Sequence, residues 1–226
     1  KENAAFLAEH GSVVVKPVDG EQGMGVAVDL RDATEMEDAI QRARQYDSRV
    51  LLESFHPGFD LRIVVIGFEV VAAAIRRPAE VIGDGRTSIG SLIEKQSRRR
   101  QAATGGESSI PLDEETQRCL RDAGFDFESV LPDGHRLAVR RTANLHTGGT
   151  LEDVTAQLHP ELVDAAVRAA RALDIPVVGL DLLVPAPDQP EYVFIEANER
   201  VGLANHQPQP TAERFIDLLF PLSTAG

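Results

Sequence analysis

Residues 192–200, which read YVFIEANER, end an apolar run on an acid and an amide. Glu196 and Asn198 are two residues apart, so in a strand their side chains lie on the same face. Carboxylate and amide oxygens are the hard ligands that Mg²⁺ and Mn²⁺ prefer in proteins. This strand end therefore suggests that one face of a sheet closes on a cation rather than on the core.

A second acid interrupts the preceding apolar segment, LDLLV, in which Asp181 is flanked by aliphatic residues. A buried carboxylate without a partner is costly, so Asp181 needs a cation nearby. Asp181, Glu196 and Asn198 offer oxygen ligands without His or Cys, a set that fits magnesium bridging to phosphates and fits no zinc pattern. The alternative is a salt-bridge cluster with arginine, and of the two we favour the metal.

The segment DGEQGMG, residues 19–25, is a glycine loop between the apolar SVVVKP and the strand-like VAVDL. Glycine lets backbone N–H groups approach an anion closely. A Walker A loop and a dinucleotide fingerprint would each open a helix, which this loop does not. What remains is a flap between two strands, in which Gly20, Gly23 and Gly25 cover a nucleotide triphosphate and Lys16 reaches a phosphate oxygen. A plain flexible hairpin explains the loop equally well.

The segment LLESFHPGFDLR places Glu53 at the end of one predicted strand and Asp60 before the next. In the functional interpretation, the link is a hinge on which adenine lies, and Asp60 accepts hydrogen bonds from the ribose hydroxyls. The base edge would then meet the backbone of Ser54, Phe55 and His56. An ordinary connection with solvated acids is the alternative, and without the other motifs it would be preferred.

The segment RRTANLHTGG joins Arg140, Arg141 and Asn144 to the glycine turn of Gly148 and Gly149. Planar guanidinium donors suit phosphate or carboxylate oxygens. Glycines let another backbone come near. A surface hairpin is a serious alternative here.

The composition narrows the class of partner. The 226 residues are 42% hydrophobic and carry a formal net charge of −13, which disfavours nucleic acid and anionic membranes and favours small molecules. The apolar stretch 61–75 is too short to span a membrane. The single cysteine, Cys119, rules out an internal disulfide and favours a cytoplasmic protein. The first residues, KENAAFLAEHG, lack an initiator Met and a secretory pattern, so we expect a piece of a longer chain.

Periodicity predicts an α+β protein without repeats. Helices are expected over 3–10, after a capping box Thr34-x-x-Glu37, through IGSLIEKQSRRR, and over 160–173 and 211–219. Strands are expected at SVVVKP, VAVDL, RVLLESF, a pair joined at Gly67, HRLAVRR, IPVVGLDLLVPA and EYVFIEAN. Residues 101–134 give no clear prediction. The buried helix faces are expected to comprise Met36, Ala39, Ile40 and Ala43, then Val163, Ala166, Val167 and Ala170, and finally Phe215, Leu218 and Leu219.

The quoted blocks occur in the order found in ligases of the ATP-grasp superfamily, and the resemblance extends over about residues 12–205. The NLHTGGT block is similar to that of ribosomal S6 modification enzymes and cyanophycin synthetases. The tail EANERVGLANHQPQPTAERFIDLLFP looks most like that of N-acetylglutaminylglutamine synthetases, a family that makes an osmoprotectant dipeptide. The combination of blocks is far more specific than any one of them.

The resemblance implies an ATP-grasp fold whose two α+β subdomains bind ATP between them. It implies a small lid subdomain at 1–55 and a large subdomain at 56–226. Arg140 and Asn144 match the block that meets the transferred phosphoryl group and the acyl substrate. The nucleotide and metal positions match Lys16 and the glycine loop, the hinge at Glu53, Ser54, Phe55 and His56, the ribose contact Asp60, and the magnesium ligands Asp181, Glu196 and Asn198.

The chain departs from the superfamily pattern in two places. Relatives usually carry an N-terminal domain with another ATP-contacting lysine, which nothing upstream of Lys16 supplies, so a covalent continuation to such a domain is expected. Many relatives have Pro-Gly after the metal-binding Asn, whereas this chain has ERVGLANH at 199–206. The acceptor end of the site is therefore expected to be specialised.

The reaction implied by the resemblance joins a small carboxylate substrate to a small amine through an acyl phosphate, at the expense of ATP. A homo-oligomer is compatible with the sequence. Two alternatives remain open, a Mg-ATP-binding module without turnover and a ligase that acts on cyanophycin-like or glutamate-tail substrates. A kinase-like phosphotransferase ranks last, because the chain has no H-R-D-x-x-x-x-N or D-F-G motif.

Overall fold

The computed structural model of the chain describes residues 2–19, 24–206 and 208–221. Its α-helices are α1 (Glu2–His10), α2 (Ala33–Ala43), α3 (Ile89–Ala103), α4 (Glu114–Asp122), α5 (Pro160–Leu173) and α6 (Thr211–Leu219). Short 3-10 helices cover Thr155–Gln157 and Leu203–His206. Within the described ranges, no helix combines the length and the hydropathy needed to cross a membrane.

The strands form three sheets. They are β1 (Val13–Pro17), β2 (Ala27–Leu30), β3 (Val50–Ser54), β4 (Phe59–Ile66), β5 (Glu69–Arg77), β6 (Glu80–Ile82), β7 (Arg136–Ala138), β8 (Thr150–Asp153), β9 (Val177–Val184) and β10 (Val193–Asn198). The strand orders are β2-β1-β3, β10-β9-β4-β5-β8 and β6-β7. This mixture of helices and largely antiparallel sheets confirms the predicted α+β class.

The chain divides into two compact units that each contain two chain segments. Unit one comprises Lys1–Phe55 and Pro78–Thr150, and unit two comprises His56–Arg77 and Leu151–Gly226. One boundary falls between Phe55 and His56, where the sequence suggested a change of subdomain. The subdomain assignment of 1–55 and 56–226, with ATP between the two, stays a prediction.

The first part of unit one is a three-stranded sheet covered by α2. Val13 and Val15 of β1 pack against Met36 and Ile40 of α2 in one buried cluster. The predicted inward face of α2 is confirmed, since Met36, Ala39, Ile40 and Ala43 are all buried.

The predicted capping box of α2 is wrong. Asp32 is the N-cap, and its Oδ1 accepts hydrogen bonds from the backbone N–H groups of Thr34 (2.8 Å) and Glu35 (3.2 Å). Aspartate and threonine both cap helices, and the residue with extended backbone just before the first turn takes the role. Thr34 lies inside that turn.

The second part of unit one packs α3 and α4 with the β6-β7 hairpin. Ile93 of α3, Leu120 of α4 and Leu137 of β7 belong to one buried cluster. Helix α4, which was not predicted from the sequence, begins after Asp113, whose Oδ1 accepts a hydrogen bond from Thr116 N at 2.9 Å. The predicted strand HRLAVRR is real but short, since β7 ends at Ala138.

Unit two is built on the five-stranded sheet. One face packs Leu61, Ile63 and Leu180 against α5 in the largest buried cluster. On the opposite face, Val64 and Ile66 pack with residues of the chain that follows β10, including Leu203 and Phe215. Alternation along a strand places Asp60 and Arg62 on this second face, ahead of Val64.

The two helices of unit two have the predicted bounds, but their buried faces differ in part from the prediction. In α5 the buried residues are Leu162, Ala165, Ala166 and Ala170, so Val163 and Val167 lie at the edge of the contact. In α6, Phe215 packs against the sheet, whereas Leu218 and Leu219 are 38% and 54% exposed. An amphipathic pattern gives the direction of the apolar stripe, and the partner surface decides how much of it is covered.

Candidate active site

The polar residues of unit two share one face of the five-stranded sheet. Arg62 of β4 lies opposite Asp181 of β9, and Glu196 of β10 lies on the other side of Asp181. Asp60 of β4 is paired with Arg76 of β5. Residues directly opposite each other project from the same side of a sheet, so these five side chains form a continuous polar face.

Asp181 is buried, with its side chain 3% exposed, but it is not unpaired. Arg62 donates from Nη2 to Oδ2 at 2.8 Å and from Nε to Oδ1, a bidentate arrangement. Arg76 Nη2 lies 3.0 Å from Asp181 Oδ2. The positive charge predicted near Asp181 is therefore supplied by the guanidinium groups of Arg62 and Arg76.

Asn198 connects the two predicted carboxylate ligands. Its Nδ2 donates to Glu196 Oε1 at 2.9 Å and approaches Asp181 Oδ2 at 3.4 Å. Glu196 is exposed and Asn198 is half-buried. The sequence prediction that Asp181, Glu196 and Asn198 lie together is confirmed by these contacts.

The donor set fits a magnesium ion shared with phosphate oxygens better than a cage made by protein alone. Nowhere in the described ranges do three or more His, Cys, Asp or Glu side chains gather as a metal site. Magnesium commonly takes one or two carboxylates and completes its shell with water and substrate phosphates. Because Asp181 is held by two arginines, Glu196 is the carboxylate more open to a cation. The metal role of Asp181, Glu196 and Asn198 stays a prediction.

Asp60, the predicted ribose contact, is engaged by Arg76. Arg76 donates from Nε at 2.8 Å and lies at 2.7 Å through Nη2. Burial raises the pKa of the Asp60 carboxyl, and nearby Asp181 adds to this, while Arg76 opposes both. The structure thus places Asp60 in the polar face rather than in a solvated turn, and its contact with ribose stays a prediction.

Two residues that were predicted to contact the nucleotide, Lys16 and Glu53, are paired with each other in unit one. Lys16 of β1 and Glu53 of β3 make an ion pair of 2.8 Å on adjacent strands. The pairing of the segment continues past β3, since Phe55 N donates to Ser12 O at 3.0 Å. Ser54 ends β3, and His56 is exposed in unit two. Their predicted contacts with phosphate and adenine stay predictions.

The two strands predicted on either side of the glycine loop are confirmed, because β1 and β2 pair antiparallel. Gly20 and Gly23 lie outside the described residues. Gly25 has a φ of 71°, and a Cβ there would meet Tyr46 Cδ2 at 2.7 Å. Glycine is therefore favoured at position 25 by both the backbone conformation and the close approach of the Tyr46 ring.

Arg140, the first predicted catalytic residue, is directed toward α4. Its Nη1 donates to Asp113 Oδ1, the N-cap of that helix, and to Thr116 Oγ1 at 3.1 Å. The side chain is 4% exposed, and within the described part of the chain its Nε has no hydrogen-bond partner. These contacts give Arg140 a structural role in unit one, and its predicted role toward substrate stays a prediction.

Asn144, the second predicted catalytic residue, shapes the glycine turn. Its Oδ1 accepts from His146 N and its backbone oxygen accepts from Gly149 N, both at 2.8 Å. Gly148 has a φ of 92°, and a Cβ there would overlap Ile110 Cγ1 at 2.4 Å. The turn is therefore a defined element of unit one, while the substrate role of Asn144 is untested.

Three residues of the polar region escaped the sequence analysis. Arg62 and Arg76 were not predicted as site residues, although the spacing of Asp60 and Arg62 puts an acid and a base on one face of a strand. His206 is 7% exposed, and its Nδ1 has no partner among the described residues. Burial lowers the pKa of His206, and the positive charges of Arg62 and Arg76 lower it further. The negative charge of Asp153 acts in the opposite direction. No signal in ERVGLANH identified a buried histidine.

Comparison with known proteins finds relatives of both halves of the chain. The family model "Prokaryotic glutathione synthetase, ATP-grasp domain" matches residues 1–109, and "RimK-like ATP-grasp domain" matches residues 135–214. The cyanophycin synthetase of Trichormus variabilis is 35% identical over 95% of this chain and 25% of its own length. The crystal structure of a bifunctional glutathione synthetase from Pasteurella multocida superposes with a TM-score of 0.61 at 26% identity, over 97% of this chain and 32% of that one.

A more distant structure shares the fold. The ATP-grasp ligase PsnB, solved with a variant precursor, Mg and ADP, matches with a TM-score of 0.50 at 17% identity, over 96% of this chain and 48% of that one. The family matches and the shared fold thus define an ATP-grasp protein. The chain belongs to the ATP-grasp superfamily, whose members use ATP and Mg²⁺, and it is related to cyanophycin synthetase and glutathione synthetase. It spans about a quarter to a third of the length of these two relatives.

Proposed function

We propose that this chain is the ATP-binding part of an ATP-dependent carboxylate-amine ligase. A substrate carboxylate oxygen attacks the γ-phosphorus of ATP, the bond to the bridging oxygen breaks, and ADP leaves. The amine then attacks the carbonyl carbon of the acyl phosphate, loses a proton, and displaces inorganic phosphate as the amide forms. The single observation that carries the proposal is the contact of Asp181, Glu196 and Asn198 on adjacent strands of one polar face.

The polar face suits phosphoryl transfer because it places positive and negative groups in fixed positions. Glu196, Asn198 and Asp181 would hold the magnesium, which neutralises charge on the phosphates when bound. Arg62 holds the Asp181 carboxylate in one orientation through two hydrogen bonds. Preorganised charges of this kind cost no reorganisation at the moment of reaction.

Unit one contributes groups of the type that bind phosphate. Lys16 supplies a cation at the strand that enters the glycine loop, and its ion pair with Glu53 orients the ammonium group. Backbone N–H groups of the loop would donate to phosphate oxygens. The water-excluding lid that this arrangement predicts would protect the acyl phosphate from hydrolysis.

The substrates are proposed at two levels of detail. We infer a small-molecule carboxylate and a small-molecule amine, within a longer protein that adds the remaining domain or domains. The tail EANERVGLANH favours N-acetylglutaminylglutamine synthesis. The 35% identity to a cyanophycin synthetase supports the second candidate, a ligase for cyanophycin-like substrates.

The experiment that tests the proposal uses the complete protein and its Glu196→Ala variant. The wild type should release phosphate from ATP only with Mg²⁺ and an accepted pair of substrates, and mass spectrometry should find the new amide. Glutamine with N-acetylglutamine and a cyanophycin-like aspartyl acceptor with arginine are the pairs to compare. Magnesium-dependent turnover at the wild-type rate in Glu196→Ala would remove Glu196 from the site. Binding of Mg-ATP without phosphate release from any pair would favour a module without turnover.

A further inference from the structure

Strand β2 carries an unusual residue close to the end of the glycine loop. Asp29 has a φ of 55°, a left-handed conformation that aspartate adopts only in special contexts. It lies where the register between β1 and β2 shifts, between the pairs Val13–Leu30 and Val15–Ala27. Bulges of this kind bend a strand and redirect its side chains. Here the bulge turns both the carboxylate and the carbonyl of Asp29 toward the second part of unit one.

The Asp29 carboxylate receives three hydrogen bonds in this position. Ser12 Oγ and Arg31 Nε each donate to Oδ1 at 2.8 Å. Arg141 Nη1 donates to Oδ2 at 2.7 Å and to the backbone oxygen of Asp29 at 3.2 Å. The lowered pKa of Asp29 agrees with these contacts, which together outweigh its partial burial.

Arg141 bridges β2 to helix α4. Its Nη2 donates to Asp122 Oδ2 at 2.8 Å, near the end of the helix. Arg118 of α4, 4% exposed, donates to Val28 O at 3.0 Å and to Asp122 at 3.2 Å. Strand β2 is one of the two outer strands of its sheet, and an outer strand presents backbone groups that its own sheet leaves unpaired. Two arginines of the second part of unit one therefore bind backbone carbonyl groups of this outer strand.

Both guanidinium ends of Arg141 are engaged in this bridge, and its side chain is 28% exposed. The arginine that sequence analysis singled out as a donor to phosphate or carboxylate ligands thus binds the protein's own carboxylates. We propose that Arg141 is a positioning residue, which acts through Asp29 to fix β2 and, with it, the Gly25 end of the predicted phosphate flap. The link from Gly25 to ATP rests on the proposed function, whereas the link from Arg141 to β2 does not.

The first test measures hydrogen exchange in the intact protein without nucleotide. Loss of a charge-assisted hydrogen bond should raise exchange of residues 24–30 about tenfold in Arg141→Ala. Exchange in β3 and α3, in the same unit, should stay unchanged. Arg141→Lys, which keeps the charge but cannot bridge two carboxylates, should give a smaller increase. Arg136→Ala, which removes an exposed ion pair with Glu80 from the same unit, is the matched control and should change nothing.

The second test measures Mg-ATP affinity and steady-state kinetics of the same variants. Arg141→Ala should weaken Mg-ATP binding and raise KM for ATP by about tenfold. The value of kcat should fall by less than about fivefold. Asp29→Ala should have a similar effect, and the double variant should be no worse than either single variant. A positioning role predicts this split, since a general loss of folded protein would lower kcat alone.

The possible outcomes distinguish the positioning role of Arg141 from the proposed function of the chain. Unchanged exchange at 24–30 in Arg141→Ala, or an equal rise throughout unit one, would overturn the positioning role whatever the wild type binds. Faster exchange confined to 24–30 together with wild-type Mg-ATP affinity would also overturn it. Failure of the wild type to bind Mg-ATP, with the exchange result as expected, would count against the proposed function and leave the bridge to β2 intact.

Discussion

Arg62 and Asp181 face each other directly across β4 and β9, and their paired hydrogen bonds fix a buried carboxylate in the middle of an antiparallel sheet. The pair lies at the point where the polar face of unit two meets apolar residues of the same face. Its geometry supplies hydrogen bonds to both oxygens of a carboxylate that is buried among aliphatic residues. The same geometry leads to two predictions.

Removal of Arg62 should destabilise the fold. Arg62→Ala leaves Asp181 buried with Arg76 as its remaining cation, so we expect a loss of about 2 kcal/mol in the free energy of unfolding. Denaturant titration followed by circular dichroism measures this loss. Arg168→Ala, which removes an exposed pair with Glu161, is the control and should cost less than about 0.5 kcal/mol. Equal losses of stability in the two variants would show that the Arg62–Asp181 pair stabilises the fold no more than an exposed ion pair does.

Gly179 provides the space in which Arg62 lies. A Cβ at this position would be 2.9 Å from Arg62 Nη1 and 3.3 Å from its Cδ. Gly179→Ala should displace the guanidinium and cost about 1–2 kcal/mol of stability. Because the effect acts through Arg62, the double variant Gly179→Ala with Arg62→Ala should be no less stable than Arg62→Ala alone. Additive losses of stability in the double variant would show that Gly179→Ala causes strain at a site other than Arg62.

The stability of the protein should depend on His206 in mildly acidic solution. Burial lowers the pKa of His206 in the folded state, so the unfolded chain, with a histidine pKa of about 6.5, binds the proton first as the pH falls. The free energy of unfolding should therefore decrease from about pH 6.5 downward until the pH passes the folded pKa. His206→Gln should flatten this part of the profile, whereas His10→Gln, which changes an exposed histidine of α1, should not. Identical profiles for wild type and His206→Gln would contradict the prediction.

Cys119 should be unreactive in the folded protein. Burial raises the pKa of its thiol to about 11, with Glu115 adding to the effect, so very little thiolate is present near neutral pH. Labelling by a maleimide or by Ellman's reagent at pH 7.5 should proceed only after denaturant is added. Rapid stoichiometric labelling of the native protein would show that α4 opens readily.

The sequence was informative wherever a pattern alone determines the structure. Pro160 and the following apolar period predicted the bounds of α5, and the acid within the apolar segment LDLLV predicted a cation near Asp181. The N-cap of α2 was assigned to Thr34 rather than Asp32, because both residue types cap helices and only the backbone conformation distinguishes them. Helix α4 was missed because its short amphipathic face is made of Thr116, Cys119 and Leu120, which gives a weak hydrophobic signal.

The candidate site was predicted in its residue types but not in its pairings. Asp181, Glu196 and Asn198 are together as expected, yet the arginines that hold Asp181 come from strands more than a hundred residues earlier in the chain. Strand register decides such partners, and register depends on the whole sheet. Likewise, nothing local to RRTANLHTGG shows that Arg141 binds Asp29 and Asp122.

The central claim, that the protein forms an amide through an acyl phosphate, is tested most directly with a carboxylate substrate labelled with oxygen-18. N-acetylglutamine and a cyanophycin-like aspartyl acceptor, each labelled in the carboxylate, are incubated with the complete protein, ATP, Mg²⁺ and the matching amine. Mass spectrometry then compares the amide with the released phosphate. We predict that an accepted substrate transfers one labelled oxygen to phosphate for each amide formed. Amide formation with unlabelled phosphate would contradict the account.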